Sequence, residues 1–171
     1  PLDGIRVLEW AVHLNGPAAG YMLGDLGAEV IKIERPVEGD TSRGIATMSG
    51  APLYLPGGRT VPYETANRSK KGITLNLQSE KGKQVLFRLV AKCDVFFTNF
   101  RPGVVKKLGL DYATISKHNP RLIYAINTGW GTQGPDSNQR AFDQLAQARS
   151  GLMWAAGDRD IKEPLIVQGA V

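Results

Sequence analysis

The stretch VIKIERPVEGD, residues 30–40, runs as an apolar strand and ends in Glu34 and Arg35, a carboxylate and a guanidinium side by side before a turn. Arginine is a planar, permanently charged fork that can hold phosphate through two hydrogen bonds, and a glutamate at a strand end can accept from a ribose hydroxyl. A strand that delivers this pair to water is a candidate ligand-binding edge. Read alone, Arg35 serves equally well as half of a surface ion pair of small value. Further loop cations are read at Lys70, Lys71, Arg101, Lys106, Lys107 and Arg140, while Phe100 and Trp130 could cover an adenine or pantetheine surface. Together these suit an adenosine with several phosphates, although loop lysines and arginines are commonly only solvated. Phe100 reads equally as core and Trp130 as a loop anchor. His13 reads as a hydrogen-bonded loop residue rather than a base, and His118 as structural.

The elements that must position these groups alternate. IRVLEW (5–10) is a strand, and Pro17 opens a helix with Ala18, Met22, Leu23 and Leu26 on one face, ended by Gly27 in a left-handed cap. AEVIKIE is a second strand, and Pro36 to Pro62 is a glycine- and proline-punctuated surface excursion. GITLNL is a third strand. Ser79 caps a helix that turns Val85, Leu86, Leu89 and Val90 inward. CDVFFTNF is a strand, RPGVVKKLG a short helix with Pro102 in its first turn, and PRLIYAINT another strand. Strands alternating with helices predict an α/β fold: a Rossmann-like parallel sheet with flanking helices.

In such sheets ligands sit outside the carboxyl ends of the strands. That rim gathers His13, Leu14 and Asn15, Glu34 and Arg35, Asn76, and Asn99, Phe100 and Arg101. The turn after the first strand, Gly16-Pro-Ala-Ala-Gly20, lacks the G-x-G-x-x-G spacing of a dinucleotide fingerprint. An ordinary dinucleotide site is therefore not expected.

Composition sets the wider bounds. The 171 residues suit one domain, with 42% hydrophobic and 22% charged residues as in soluble globular proteins. No apolar run approaches the ~20 residues of a membrane span, and no leader pattern opens the chain, so a cytoplasmic protein is expected. The single Cys93 reads as a small packed hydrophobe. The net charge of +5 is dispersed, which suits an anionic small molecule better than nucleic acid.

Six collinear segments then carry a resemblance: PLDGIRVLEW, GPAAGYMLGDLGAEVIKIERPVEGD, NRSKKGITLNL, DVFFTNFRPGVVKKLGL, NPRLIYAINTGWGTQGP and FDQLAQARSGLM. In order and spacing they resemble the family III CoA-transferases, the formyl-CoA and carnitine CoA-transferase type. The resemblance implies coenzyme A and acyl-CoA as substrates, no tightly bound cofactor, carboxylic acids as co-substrates, no nucleic acid or membrane partner, and an interlocked homodimer. By its motifs the CoA contacts fall on His13, Leu14, Asn15, Arg35, Leu75, Asn76, Leu77, Gln78, Asn99, Phe100, Arg101, Lys107, Arg140, Ala141, Phe142 and Asp143. Arg35 takes the ribose-phosphate end. Leu14 stands where formyl-CoA transferase has a glutamine. The family's aspartate nucleophile is expected just beyond Val171, since Asp143, Asp158 and Asp160 do not fall at its place. Residues 1–171 then correspond to the N-terminal, CoA-binding part of the large domain, without the small domain and C-terminal segment, and inactive as a separate piece. Two alternatives stay open: an α-methylacyl-CoA racemase or epimerase, and a non-catalytic CoA-binding subunit. Racemases of this superfamily use a histidine where Phe142 stands, and phenylalanine cannot accept a proton.

Overall fold

A computed structural model describes residues 1–48, 50–157, 160 and 163–167. Where length suggests one domain, the chain divides into two compact units, Pro1–Asn127 and Thr128–Val171. The first begins with β1 (Arg6–Trp10), α1 (Asn15–Asp25) and β2 (Glu29–Glu34). A 3-10 turn (Thr41–Gly44) follows, then two short hairpins, β3 (Thr47–Met48) with β4 (Ala51–Pro52) and β5 (Tyr54–Leu55) with β6 (Arg59–Thr60). After α2 (Val61–Asn67) come β7 (Lys70–Thr74), α3 (Glu80–Val90), β8 (Val95–Thr98), α4 (Pro102–Leu108), α5 (Tyr112–Ile115) and β9 (Ile123–Ile126). The second unit holds α6 (Asp143–Ser150) and α7 (Leu152–Ala155).

The long strands form the expected parallel sheet, in the order β7-β2-β1-β8-β9. The chain moves outward from β1 through β2 to β7, then crosses to the other side of β1 for β8 and β9. The reversal lies between β1 and β8, and a doubly wound sheet opens a crevice at such a switch point. Successive residues point to opposite faces of a strand. Leu8 and Phe96 accordingly join one core cluster with Leu86 and Val90 of α3, while Val7 and Phe97 join another with Leu23 of α1. Both faces are covered, which is why β1 reads as a nearly unbroken apolar run.

Ser79 caps α3 as expected, its hydroxyl accepting from the Gly82 N–H, and Leu86 and Val90 are fully buried while Val85 and Leu89 are half-buried. Gly27 ends α1 with φ +102°; its N–H reaches the Gly24 carbonyl and that of Ala28 reaches Leu23, a Schellman closure. The inward face of α1 differs from expectation. Met22 and Leu26 point to solvent, and the buried positions are Gly16, Pro17 and Gly20. The helix lies so close to the sheet that a Cβ on Gly20 would collide with Glu9 Oε2. Small residues rather than large ones make that contact.

Two further boundaries move. β7 starts at Lys70 and ends at Thr74; the Leu75 N–H adds one more bond to the Glu34 carbonyl, and Asn76–Gln78 form the turn into α3. The segment from Pro36 to Pro62 is more than a surface excursion, because Asp40, Ser42 and Thr60 are buried in it. Among the described residues no helix is long and apolar enough to cross a membrane.

Candidate functional site

The rim is assembled by side chains that tie one strand end to another. Asn99, directly after β8, accepts from the Val12 N–H (3.0 Å) and donates to the Val12 carbonyl (2.7 Å) and to Asn15 Oδ1 (3.0 Å). One amide thereby fixes the loop between β1 and α1 against its neighbour across the switch point. His13, in that loop, has a left-handed backbone (φ 65°), a conformation histidine tolerates better than most residues. Its N–H donates to Asp40 Oδ1 (3.1 Å), and its Nε2 lies 3.0 Å from Thr41 Oγ1. Leu14 is exposed at the N-cap of α1, and Asn15 accepts from the Gly16 N–H. Trp10 and Phe100 stack across the β1 and β8 ends, their centroids 4.2 Å apart.

These elements enclose a cavity of about 140 Å³ lined by Trp10, Val12, His13, Ile33, Glu34, Arg35, Gly39, Asp40, Thr41 and Phe100. A whole drug-sized ligand needs roughly 300–1,000 Å³. The cavity is therefore matched to one ring or one anionic group. Phe100 is both of the things its sequence allowed, since it packs on the core and lines the cavity.

Glu34 and Arg35 divide their work. Glu34 accepts from the Asp40 N–H (2.7 Å), from Arg43 through both oxygens (2.8 and 2.9 Å) and from the Tyr63 hydroxyl (2.8 Å). Burial works against its charge, but Arg43, the Asp40 N–H and Tyr63 outweigh burial and bring its pKa down to about 2. Both oxygens are committed to the protein, so the ribose contact considered for Glu34 is not available to it. Arg43 also stacks 3.6 Å over the Tyr63 ring. Arg35 turns outward at the cavity edge, 58% exposed, and among the described residues its side chain makes a 3.4 Å contact to the equally open Glu38. Such an exposed pair holds its arginine weakly.

Other predicted residues are placed less centrally. Leu75 is half-buried and Leu77 buried in the core, whereas Asn76 and Gln78 are exposed at the next strand end. Arg101 is the N-cap of α4, its carbonyl accepting from Val104 and Val105. Lys107 sits in the last turn of α4, roughly 7 Å down the helix from the rim at 1.5 Å per residue. Lys70 and Lys71 are strand residues rather than loop cations. Lys70 is buried 2.7 Å from Glu9, and Lys71 pairs with Glu29 at 2.7 Å. In the second unit, the Arg140 carbonyl accepts from Trp130 Nε1 (3.2 Å), Ala141 packs on Gly129, Phe142 is exposed at the N-cap of α6, and Asp143 accepts from Gln147 (2.8 Å). Trp130 thus anchors its loop. Asp160 is exposed and Asp158 lies outside the described residues. His118 stacks on Phe87 at 4.1 Å as a structural residue, and burial lifts the Cys93 thiol to about 11.

What the residue pattern did not single out is the charge beneath the rim. Lys70, Glu9, Lys32 and Asp40 form a chain of alternating sign with side chains at most 2% exposed. Burial lowers the Lys70 ammonium to about 8 against the pull of Glu9, and raises the Glu9 carboxyl against that of both lysines. Asp40 is held below its usual value, since Lys32 and Ser42 outweigh its burial. A signal was present: Glu9 and Lys32 interrupt two strands that are otherwise apolar, and they stand opposite each other in register. Charges buried on both sides must be paired.

Residues 2–171 match the model of CoA-transferase family III. Succinyl-CoA:glutarate CoA-transferase of Mus musculus is 42% identical over 160 residues, which cover 94% of this chain and 35% of the relative. Acetyl-CoA:oxalate CoA-transferase of Acetobacter aceti is 41% identical over 162 residues, covering 94% and 39%. The crystal structure of a CaiB/BaiF family protein from Brucella suis superposes with a TM-score of 0.86 at 39% identity, over 98% of this chain and 43% of that one. The chain spans about two fifths of the length of these relatives. A match that starts at residue 2 and runs to the last, on a sheet that superposes on a solved CaiB/BaiF structure, places this chain in CoA-transferase family III.

Proposed function

We propose that this chain carries the coenzyme A site of an enzyme that moves CoA between acyl-CoA thioesters and carboxylic acids. The observation that carries the reading is the switch-point cavity with a weakly held arginine at its edge, in a chain whose relatives are named CoA-transferases. Arg35 binds the ribose phosphate, and the cavity takes one end of the ligand. His13, Leu14, Asn15, Asn99, Phe100 and Arg101 border it at the β1 and β8 ends, and Leu75, Asn76, Leu77 and Gln78 at the β7 end. Lys107, Arg140, Ala141, Phe142 and Asp143 are further contacts of the same proposal. The reacting carboxylate is an aspartate beyond Val171: it attacks the thioester carbonyl, forming an aspartyl anhydride and freeing CoA thiolate; the thiolate attacks the aspartyl carbonyl, releasing the donor acid and leaving an enzyme CoA thioester; the acceptor carboxylate then attacks that thioester, and the CoA it frees attacks the acceptor carbonyl of the second anhydride, giving the new acyl-CoA and the free aspartate. Covalent catalysis of this kind divides one difficult exchange into easier steps. The complete enzyme is a homodimer in this reading.

The test is calorimetry with CoA and dephospho-CoA on the protein and its Arg35→Ala variant. Loss of a hydrogen bond to a charged group costs about 1.5 to 3 kcal/mol, so CoA should bind roughly ten- to a hundredfold more weakly. Dephospho-CoA should lose less. Equal losses for the two ligands would remove Arg35 from the phosphate, and no heat with CoA in the unaltered protein would remove the reading altogether.

A further inference from the structure

The cavity wall is held by a residue with no assigned role. Asp40 Oδ1 accepts three hydrogen bonds: from the His13 N–H (3.1 Å), the Ser42 N–H (2.9 Å) and the Ser42 hydroxyl (2.8 Å). Its Oδ2 faces the Lys32 ammonium at 2.9 Å, as an ion-pair contact without an aligned hydrogen bond. Lys32 in turn donates to Glu9 Oε1 (2.9 Å) and to the Ala11 carbonyl (2.8 Å), at the start of the loop that carries His13. Glu9 Oε2 meets Lys70, which also donates to the Pro17 carbonyl in α1 and the Ala66 carbonyl in α2. Two cations and two anions thus form a buried chain from the helices to the cavity, and Asp40 is its last member. Of these four charged residues only Asp40 lines the cavity.

We propose that Asp40 is the positioning residue of the ligand pocket: by holding the left-handed His13 peptide and the turn at Thr41 and Ser42, it sets the wall of the cavity before any ligand arrives. The physical basis is charge. A carboxylate makes short, strong bonds to backbone N–H groups, and one anchored by a buried lysine cannot rotate away. His13 and Thr41 also face each other across 3.0 Å, so a shift of the Asp40 carboxylate displaces both. Pre-organisation of this kind raises affinity by removing the cost of ordering the loop on binding. The inference rests on the CoA reading for its ligand but not for its geometry.

The single variant Asp40→Ala would strand Lys32 beside a Glu9 already shared with Lys70, and loss of folding would then obscure the result. Two double variants avoid this. Asp40→Ala/Lys32→Met leaves the Glu9–Lys70 pair neutral but takes the Asp40 acceptor away from the His13 N–H. Asp40→Asn/Lys32→Met has the same charge and keeps an oxygen in place. CoA affinity by calorimetry should fall about tenfold in the alanine double variant and recover to within about threefold of the unaltered protein in the asparagine one. Equal affinities in the two double variants would overturn the proposal. A second measurement needs no variant: in the ligand-free protein the His13 and Ser42 amides should exchange with solvent as slowly as those of β1. Fast exchange at either position would show that the wall is not preset and would overturn the proposal by itself. No heat with CoA would instead count against the CoA reading alone, leaving the amide exchange to decide whether Asp40 fixes the loop.

Discussion

At the scale of single residues, Glu34 shows how a charge beside the switch-point cavity becomes a fixture of the fold. Its carboxylate is 10% exposed and takes hydrogen bonds from Arg43, Tyr63 and the Asp40 N–H, which together bring its pKa to about 2. The unfolded chain titrates near 4.5, so the folded carboxylate is depressed. Its contribution to stability is full above about pH 5 and is lost as pH falls toward 2. Comparing urea unfolding of the protein and of Glu34→Gln at pH 6 and pH 2.5, the unaltered protein should lose about 2 to 3 kcal/mol more than the variant over that interval. Equal acid losses would mean that the Arg43 and Tyr63 contacts do not hold in solution. The pairing of Glu34 with Arg35 was legible as a strand-end motif, but which of the two stays exposed was not. The deciding partners, Arg43 and Tyr63, lie 9 and 29 residues further along, and only folding brings them to Glu34.

At the scale of elements, α1 shows why an apolar helical face does not always turn inward. Met22 and Leu26 follow the spacing of a core face, yet Gly16, Pro17 and Gly20 are the buried positions. Gly20 lies over the Glu9–Lys70 pair, where a methyl group has no room. In an ordinary helix, alanine in place of glycine gains about 1 kcal/mol. Here the sign should reverse, because overpacking costs roughly 1 to 3 kcal/mol and would displace a buried ion pair as well. Gly20→Ala should therefore unfold at lower urea concentration than the unaltered protein, by about 2 kcal/mol in stability; a stabilised variant would show that the helix can move away at little cost. The early start of β7 has a related cause. Lys70 and Lys71 read as loop cations because charge is rare in a covered parallel strand, but Glu9 and Glu29 wait for them in the neighbouring elements. Periodicity locates the elements and leaves the buried charges that join them unread.

At the scale of the whole molecule, the alternation of strands and helices was enough to expect five parallel strands, and all five are present. Their order was not legible, since no local residue states on which side of β1 the chain returns. That return creates the switch point, and with it the cavity between the β1, β2 and β8 ends. Rim residues such as His13, Asn99 and Phe100 could be found from the strand ends alone, whereas Asp40 could not, because its function depends on a pairing with Lys32 that only the sheet creates. The division into two units bears on stability directly. Both core clusters and all five long strands lie within Pro1–Asn127, and the last ladder bond, from the Asn127 N–H to the Thr98 carbonyl, falls at that boundary. The unit thus holds a covered sheet with a core on each face, which is what a domain of this size needs to fold by itself. A chain ending at Asn127 should accordingly unfold in one cooperative urea transition, with near-ultraviolet circular dichroism from Trp10 and the aromatic contacts around it and the far-ultraviolet signal from the helices vanishing together. Trp10 is the indole to follow, because it stacks on Phe100 inside the unit while Trp130 and Trp154 are removed with the second one. Non-coincident transitions, or the absence of a near-ultraviolet signal, would show that residues beyond Asn127 are needed to complete the core.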